Sequence, residues 1–276
     1  PIKKVPSLQG VTIVNLFFEN STRTRISFEL AQKRLSADTV NFSASTSSLK
    51  KGESFKDTAQ NIEAMKIDAV VMRHPSPGAP YHLKEFIDAK IINAGDGTHE
   101  HPTQAILDMM SIQEKFGKIK GLNIAIIGDI YHSRVARSNI YGLITMGANV
   151  TVCGPPNLIP KEITELGVKV NYNIDEVIEW ADAVNVLRIQ RERMGIGLIP
   201  SSREYRRLFG ITYERISRRK NELIIMHPGP MNRGVEIDSE VADSDQAIIL
   251  SQVLNGVASR MSILYLLLGA KDGKKY

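Results

Sequence analysis

The sequence predicts an α/β protein of two lobes, each a parallel sheet flanked by helices. Short β-rich runs alternate with helical stretches along the 276 residues, which is typical of parallel sheets. Such a length is enough for two domains of ordinary size. The alternation restarts after Gly117, so two lobes are expected to join near Gly117–Gly121. A long helical pattern at Ala247–Leu268 is expected to return to the first lobe.

The first series of elements begins with a buried strand and a helix. Val11–Phe17 (VTIVNLF) predicts the strand, and Thr22–Leu35 predicts the helix, with Ser21 as its candidate N-cap. Pro102 suits the first turn of a later helix, where its missing N–H would be unpaired in any case. Further strands are predicted at Thr39–Phe42, Ala69–Met72 and Ile91–Asn93, and further helices at Phe55–Met65 and Pro102–Phe116.

The second series repeats this pattern. Leu122–Ile127 predicts a strand that ends in Gly128-Asp129, and a helix is predicted from Arg134 to Met146. We therefore expect a first domain at residues 1–118, with 252–276 packing back on it, and a second at 119–251. Further strands are predicted at Val150–Cys153, Val168–Asn171, Ala183–Leu187 and Leu223–Met226.

Composition excludes several classes of protein. No run approaches the roughly 20 apolar residues of a membrane span, since Met261–Leu268 is far too short. The single cysteine, Cys153, cannot form an intrachain disulfide, so a cytoplasmic protein is expected. The net charge of +5 is modest, and its densest basic run is Arg203–Arg219. Nucleic-acid binding would explain this run, but a solvated helix face or a mobile loop is favoured.

An anion site is predicted where the first strand meets its helix. Ser21-Thr22-Arg23-Thr24-Arg25 places two guanidiniums and several hydroxyls at a helix N-terminus. The unpaired N–H groups and the dipole of such a turn attract anions, and arginine can grip phosphate with two parallel hydrogen bonds. The alternative is an ordinary capped helix whose arginines face water. Capping alone would not require this sequence, so phosphate binding is favoured.

Two further segments follow predicted strands of the first lobe. Arg73 ends one strand, where ligands gather in open α/β sheets, although it could equally be a surface arginine. His99-Glu100-His101 invites a metal interpretation, but histidines at i and i+2 do not share a helix face, so metal is disfavoured. His101 and Gln104 near a helix start could instead hydrogen-bond a substrate carbonyl or amide, the alternative being a structural histidine with satisfied hydrogen bonds.

Three segments of the second lobe complete the candidate site. Gly128-Asp129 resembles the first turn of a dinucleotide-binding fold, but the G-x-G-x-x-G pattern is absent, so NAD binding is only weakly supported. Arg134, at a predicted helix start, suits a carboxylate instead. Alternation along a strand would place Arg188 and Gln190 on one side, where they could form a carboxylate site. The alternative is a polar edge strand. His227–Pro230 predicts a stiff loop whose carbonyls could hold an amide NH2.

Taken together, these motifs resemble the aspartate and ornithine carbamoyltransferase family over essentially the whole chain. Ser-Thr-Arg-Thr-Arg, Arg-His-Pro, His-Pro-Thr-Gln and His-Pro-Gly-Pro occur in the family's order. The aspartate branch is favoured. In the ornithine branch the third place of His-Pro-Thr-Gln is usually Cys, and His-Cys-Leu-Pro replaces His227–Pro230. Leu49–Ser54 resembles a mobile loop of the family that enters a neighbouring subunit's site.

The resemblance implies carbamoyl transfer from carbamoyl phosphate to L-aspartate in de novo pyrimidine biosynthesis, without cofactor or metal. It assigns carbamoyl phosphate to one lobe and aspartate to the other, with the site between them. The implied carbamoyl phosphate ligands are Ser21, Thr22, Arg23, Thr24, Arg73, His101, Gln104, Ser48 and the Pro228 carbonyl. The implied aspartate ligands are Lys51, Arg134, Arg188, Gln190 and Pro230. The catalytic set would be Arg23, Thr24, Arg73, His101, Gln104 and Lys51.

The resemblance also implies a homotrimer, with Ser48 and Lys51 arriving from the adjacent chain. Association with dihydroorotase or regulatory chains, as in some bacterial members, stays open, and neither nucleic acid nor membrane is expected as a partner. Ornithine is the alternative substrate, and a non-catalytic assembly homologue is the alternative class. Family members usually begin with a helix before the Val11 strand, and this chain, which starts at Pro1, is expected to lack most of it.

Overall fold

The computed structural model describes residues 4–43, 54–189, 201–219 and 222–269. The chain divides into two compact units, one of Pro1–Thr103 with Gly256–Tyr276 and one of Gln104–Asn255. Both divisions fall inside helices, Pro102–Phe116 and Ile249–Leu268. The domain limits expected from the sequence, at 118/119 and 251/252, lie 15 and 4 residues from these divisions and stay predictions.

The first unit is built on a four-stranded parallel sheet in the order β2-β1-β3-β4. In register, Phe17 of β1 pairs with Arg73 of β3, and after an irregularity His74 pairs with Asp96 of β4. The carboxyl ends of three adjacent strands therefore share one edge. The strands are β1 Thr12–Phe17, β2 Asp38–Ser43, β3 Ala69–His74 and β4 Lys90–Asp96; the helices are α1 Thr22–Arg34, α2 Phe55–Ala64 and α3 Ala79–Leu83.

The side chains of β1 alternate between two apolar clusters, one on each face of this sheet. Ile13 packs with Phe28 of α1 and with Leu264 of the C-terminal helix. Val14 and Leu16 pack on the other face with residues of α2 and α3. The buried Arg260 donates from Nη1 to Ser27 Oγ at 2.8 Å and lies 5.0 Å from the Phe28 ring centroid. The predicted return of the C-terminal helix to the first lobe is confirmed.

The second unit has a five-stranded parallel sheet in the order β7-β6-β5-β8-β9. Both faces are covered, and Ile124–Ile127 of the central strand is a continuous apolar run. Ile124 and Ile126 of β5 pack on one face, and Ala125 and Ile127 on the other. The strands are β5 Asn123–Ile127, β6 Asn149–Cys153, β7 Lys169–Val170, β8 Ala183–Val186 and β9 Ile224–Met226. The helices wholly within this unit are α5 Arg134–Thr145, α6 Ile174–Trp180, α7 Ser202–Phe209, α8 Tyr213–Ser217 and α9 Ser239–Ala242, whereas α4 Pro102–Phe116 and α10 Ile249–Leu268 each belong partly to the first unit.

The structure confirms the predicted fold class and extends the list of elements. Helix α4 begins and ends at the predicted residues, whereas the sequence analysis gave no helix for α3, α6 or α9. The basic run Arg203–Arg219 forms α7 and α8, and the side chain of Arg206 is exposed. That this face is solvated and binds no nucleic acid stays a prediction. Among the described helices, none combines the length and apolar character needed to cross a bilayer.

Candidate active site

The first cluster of predicted site residues lies at the carboxyl edge of the four-stranded sheet. The strand β1 leads into Ser21–Thr24, β3 ends with Arg73, and β4 leads through a short loop to His101. Because β1, β3 and β4 are adjacent, three segments far apart in sequence converge at one edge. Ligands of open α/β sheets bind at such an edge.

The start of α1 has the features of an anion site. Ser21 occupies the N-cap position in an extended conformation, as predicted, but its side chain makes no capping hydrogen bond. No acidic residue lies in the first turn, where Thr22 and Arg23 are exposed. The positive end of the helix dipole is therefore not compensated by a carboxylate of its own first turn.

Arg73 is held by two side chains from the segment after β1. Its Nε donates to Glu19 Oε2 at 3.1 Å, and its Nη1 donates to Thr24 Oγ1 at 3.4 Å. The side chains of Arg73 and Glu19 are 14% and 18% exposed, so the ion pair is partly shielded from water. Glu19 thereby fixes the direction of the guanidinium. This role could not be predicted from the sequence, because an acidic residue beside a predicted anion site carries no signal for it.

The buried Asp96 organises the loop between β4 and His101. Its oxygens accept from Gly78 N at 2.7 Å and from Glu100 N at 3.1 Å, and one lies 3.0 Å from His99 Nδ1. His101 is itself buried and lies immediately before α4. Over the described part of the chain, no group of three or more His, Cys, Asp or Glu side chains is arranged to hold a metal ion.

His74 adjoins this edge as a neutral imidazole. Its ring lies 4.7 Å from that of Phe18, centroid to centroid, and its Nδ1 accepts from Ser76 N at 2.9 Å. Burial lowers the pKa of His74, more than the nearby carboxylates of Glu19 and Asp96 raise it.

The second cluster lies at the carboxyl edge of the five-stranded sheet. The adjacent strands β5, β8 and β9 lead to Arg134, Arg188 and His227–Pro230 respectively. Gly128, with φ of +133°, follows β5, and a Cβ there would lie 3.1 Å from Leu187 Cβ. A glycine is needed at this position because the ends of β5 and β8 approach so closely.

The turn after β5 is fixed by a buried carboxylate. Asp129 Oδ1 accepts from His132 N at 3.1 Å, and His132 Nδ1 lies 3.0 Å from Asp129 Oδ2. Ser133 caps α5 by accepting from Ala136 N at 3.1 Å. Arg134, only 5% exposed, is therefore the first residue of a helix whose start is tightly defined.

Glu236 ties the loop after β9 to the end of β8. Gly229 N donates to His227 Nδ1 at 2.8 Å, so the proton of this imidazole is on Nε2, which lies 3.3 Å from Glu236 Oε1. Glu236 also accepts from the backbone and side-chain amides of Asn232, and Asn232 Nδ2 donates to Ile189 O at 3.1 Å. The loop, which contains a cis Gly229–Pro230 bond, is thus linked to the residue after Arg188.

A second fully buried carboxylate, Asp108, accepts four side-chain amides. Each of its oxygens takes two. Oδ1 accepts from Gln104 Nε2 at 3.0 Å and from Gln252 Nε2 at 2.8 Å. Oδ2 accepts from Asn139 Nδ2 at 2.8 Å and from Asn185 Nδ2 at 3.1 Å. Burial raises the pKa of Asp108, and the four hydrogen bonds oppose that rise.

The predicted site residues thus fall into two groups, one at each sheet edge. Ser48, Lys51 and Gln190 lie outside the described residues. The sequence analysis did not single out Glu19, Asp108, Glu236 or Gln252. A partial signal existed for Asp108, which interrupts the apolar residues of α4.

Two family profiles match successive parts of the chain. The profile of the aspartate/ornithine carbamoyltransferase carbamoyl-P binding domain matches residues 2–114, and that of the Asp/Orn binding domain matches residues 120–267. The aspartate carbamoyltransferase catalytic subunit of Christiangramia forsetii is 61% identical over 267 residues, 97% of this chain and 86% of the relative. That of Cytophaga hutchinsonii is 62% identical over 271 residues, 98% and 88%.

The chain belongs to the aspartate/ornithine carbamoyltransferase family.

Solved structures of this family share the fold. Aspartate transcarbamoylase from Trypanosoma cruzi, in complex with N-(phosphonacetyl)-L-aspartic acid, has a TM-score of 0.85 and 33% identity, covering 95% of this chain and 85% of its own. Ornithine carbamoyltransferase from Pyrococcus furiosus has a TM-score of 0.84 and 26% identity, covering 97% and 87%. The fold is therefore common to both branches, and sequence identity separates them.

Proposed function

We propose that this chain is an enzyme that transfers the carbamoyl group of carbamoyl phosphate to the amine of L-aspartate, giving N-carbamoyl-L-aspartate and phosphate. The observation that carries the proposal is 61–62% identity to aspartate carbamoyltransferase catalytic subunits over nearly the whole chain. The matched ornithine enzyme is 26% identical. Aspartate is therefore the acceptor we favour over ornithine, in a step of pyrimidine biosynthesis.

The edge of the four-stranded sheet supplies groups for the phosphate and the reacting carbonyl. The start of α1 would hold the phosphate oxygens through its N-cap residue Ser21 and its first three residues, Thr22, Arg23 and Thr24. Arg73, whose guanidinium Glu19 orients, would bridge the phosphate and the carbonyl oxygen. Together with Thr24 and His101, it would stabilise the negative charge that develops on that oxygen.

The edge of the five-stranded sheet supplies groups for the carbamoyl NH2 and the amino acid. Gln104 and the carbonyl of Pro228 would accept hydrogen bonds from the NH2. Arg134 would bind the α-carboxylate of aspartate, and Arg188 and Gln190 would bind the β-carboxylate. Pro230 would also contact the aspartate. The second carboxylate is the group that ornithine lacks.

The bond changes need no covalent enzyme intermediate. The aspartate nitrogen forms a bond to the carbamoyl carbon, and a tetrahedral oxyanion results. The bond from that carbon to the phosphate oxygen then breaks, and the leaving phosphate takes the amine proton. Positioning of two bound substrates and charge stabilisation supply most of the rate.

A direct assay tests the choice of acceptor. With saturating carbamoyl phosphate, we expect N-carbamoyl-L-aspartate from aspartate and no citrulline from ornithine. The matched variant Arg188→Leu should lose activity with aspartate by raising its KM, because it removes the positive charge facing the β-carboxylate. Substantial formation of citrulline by the unaltered protein would contradict the aspartate assignment.

The assembly we propose is a homotrimer with sites shared between chains, in the cytoplasm. Ser48 and Lys51, which lie outside the described residues, would enter the neighbouring chain's site. Dihydroorotase or regulatory chains are candidate partners of a higher assembly. Mixed trimers of Lys51→Ala and Arg23→Ala chains, each inactive alone, should regain activity. No recovery in verified mixed trimers would remove Lys51 from the shared site.

A further inference from the structure

The buried Asp108 carboxylate connects two groups that the proposed function assigns to the carbamoyl NH2. An ionised carboxylate only accepts hydrogen bonds, so every amide that meets it must present its NH2. Gln104 does so through Nε2, at 3.0 Å from Asp108 Oδ1. Because the amide is planar, its carbonyl oxygen Oε1 is directed away from Asp108.

The same carboxylate oxygen also acts on the Pro228 segment through one intervening side chain. Gln252 donates from Nε2 to Asp108 Oδ1 at 2.8 Å, and its Oε1 accepts from His227 N at 2.9 Å. His227 directly precedes Pro228, and both His227 and Gln252 are at most 3% exposed. The position of the Pro228 backbone therefore depends on the same acceptor as the orientation of Gln104.

We propose that Asp108 is a positioning residue that makes Gln104 and Pro228 present two carbonyl oxygens to the donor substrate, and so selects a carbamoyl over an acetyl group. This inference rests on the proposed function. An NH2 group can donate to both oxygens, whereas the methyl group of acetyl phosphate can donate to neither. Facing the methyl group, the two carbonyl oxygens would be left without hydrogen bonds, which disfavours binding of acetyl phosphate.

The other side of the carboxylate provides matched controls. Asn139 and Asn185 donate to Oδ2, and within the described residues the Oδ1 atoms of both are buried without a hydrogen-bond partner. Neither of these amides bonds to Gln104 or Gln252 in the described structure. Replacing Asn139 therefore disturbs the same buried cluster without touching the Oδ1 pair.

The experiment compares two constants in each full-length variant: the KM for carbamoyl phosphate and the inhibition constant of acetyl phosphate against it. Asp108→Leu should raise the KM for carbamoyl phosphate about 10-fold and leave the acetyl phosphate constant nearly unchanged, because only the NH2 contacts are lost. Asn139→Leu, also a change from a buried polar group to leucine, should keep the wild-type ratio of the two constants.

A conservative variant provides a rescue. In Asp108→Asn the amide oxygen can still accept from Gln104 and Gln252, and the new NH2 can donate to Asn139 and Asn185 once their amides turn over. This variant should restore the wild-type ratio. A purely structural role predicts instead that Asp108→Leu and Asn139→Leu change both constants alike, and that result would overturn the proposal.

A second variant applies if Asp108→Leu fails to fold. Gln252→Met conserves volume, leaves Gln104 on Asp108 and removes the hold on His227 N. It should also raise the KM for carbamoyl phosphate without raising the inhibition constant of acetyl phosphate, and an unchanged ratio of the two constants would overturn the proposal.

Failure of the proposed function and failure of the positioning role give different results. Lack of carbamoylaspartate formation by the wild type would refute the proposed function. An active wild type with unaltered ratios in the variants would refute the positioning role alone.

Discussion

The two sheet edges hold their polar groups in different ways. At the edge of the four-stranded sheet, Arg73 and its partner Glu19 are 14% and 18% exposed and form an ion pair. In the second unit, the organising carboxylates Asp108 and Glu236 are fully buried and accept mainly from neutral amides. Burying a carboxylate is costly unless its oxygens are fully hydrogen-bonded, and here they are. The first arrangement therefore relies on an ion pair, and the second on buried hydrogen bonds of fixed geometry.

The largest effect should follow from loss of charge at the first edge. Arg73→Ala should lower kcat by roughly 10²–10³-fold, because the proposed function makes Arg73 a donor to the developing oxyanion. Stability should change little, since the ion pair is only partly buried. Steady-state kinetics and thermal unfolding measure both effects. The control is Arg206→Gln, which also removes an ion-paired arginine, but an exposed one on α7. This variant should keep the wild-type kcat.

Removing a buried acceptor should instead lower stability. Glu236→Ala leaves the donors of His227 and Asn232 unpaired, so the free energy of unfolding should fall by about 3 kcal/mol or more. The KM for aspartate should rise as the link to Ile189, beside Arg188, is lost. Glu236→Gln retains an acceptor and should lose less on both measures. Equal losses in both variants would contradict this account.

A smaller effect concerns pH and the first unit. Burial holds the pKa of folded His74 below that of the unfolded chain, about 6.5, so the unfolded state binds a proton more readily. The free energy of unfolding should therefore be level above this pH and decline as the pH falls from about 6.5 towards the folded pKa. The slope from this one group should be less than ~1.4 kcal/mol per pH unit.

The control for His74 is His74→Asn, which does not titrate but offers an oxygen to Ser76 N in place of Nδ1. Its unfolding free energy, measured by urea titration between pH 5 and 8, should decline less than that of the wild type at the acidic end. Identical slopes would assign the decline to other groups.

The smallest effect should come from an exposed pair in the second unit. Arg206 bonds Asp238 at 2.7 Å and 2.6 Å through two nitrogens, yet its side chain is 46% exposed. Arg206→Gln should therefore change the free energy of unfolding by less than ~1 kcal/mol, and raising the salt concentration should reduce this difference. A loss as large as that of Glu236→Ala would mean that burial does not distinguish the two kinds of contact.

Much of the fold was predictable because its signals are local. Strand β1, helix α4 and the start of α5 follow from apolar runs and N-cap residues that occupy a few consecutive positions. Ser21–Thr24, Arg73 and Arg134 were predicted as site residues because hydroxyls and arginines at the ends of strands favour anion binding, and their roles stay predictions. The short helices α6 and α9 were missed, since seven and four residues show too little periodicity.

The buried polar clusters could not be predicted, because their partners are distant in sequence. Asp108 in α4 resembles one polar residue on an amphipathic helix, and Gln252 in α10 resembles another. Only the structure brings these two residues, 144 positions apart, to 2.8 Å. The order of strands in each sheet is equally non-local, since β1 lies between β2 and β3.

The Asp108 cluster also constrains the order in which the molecule can mature during synthesis. Gln104, Asn139 and Asn185 leave the ribosome in that order, and Gln252 follows all three. Until it emerges, Asp108 Oδ1 has one of its two donors and His227 N lacks its acceptor. Every described strand precedes Gln252 in the sequence, so the loop at Pro228 gains this anchor only after the strands of both sheets have been synthesised.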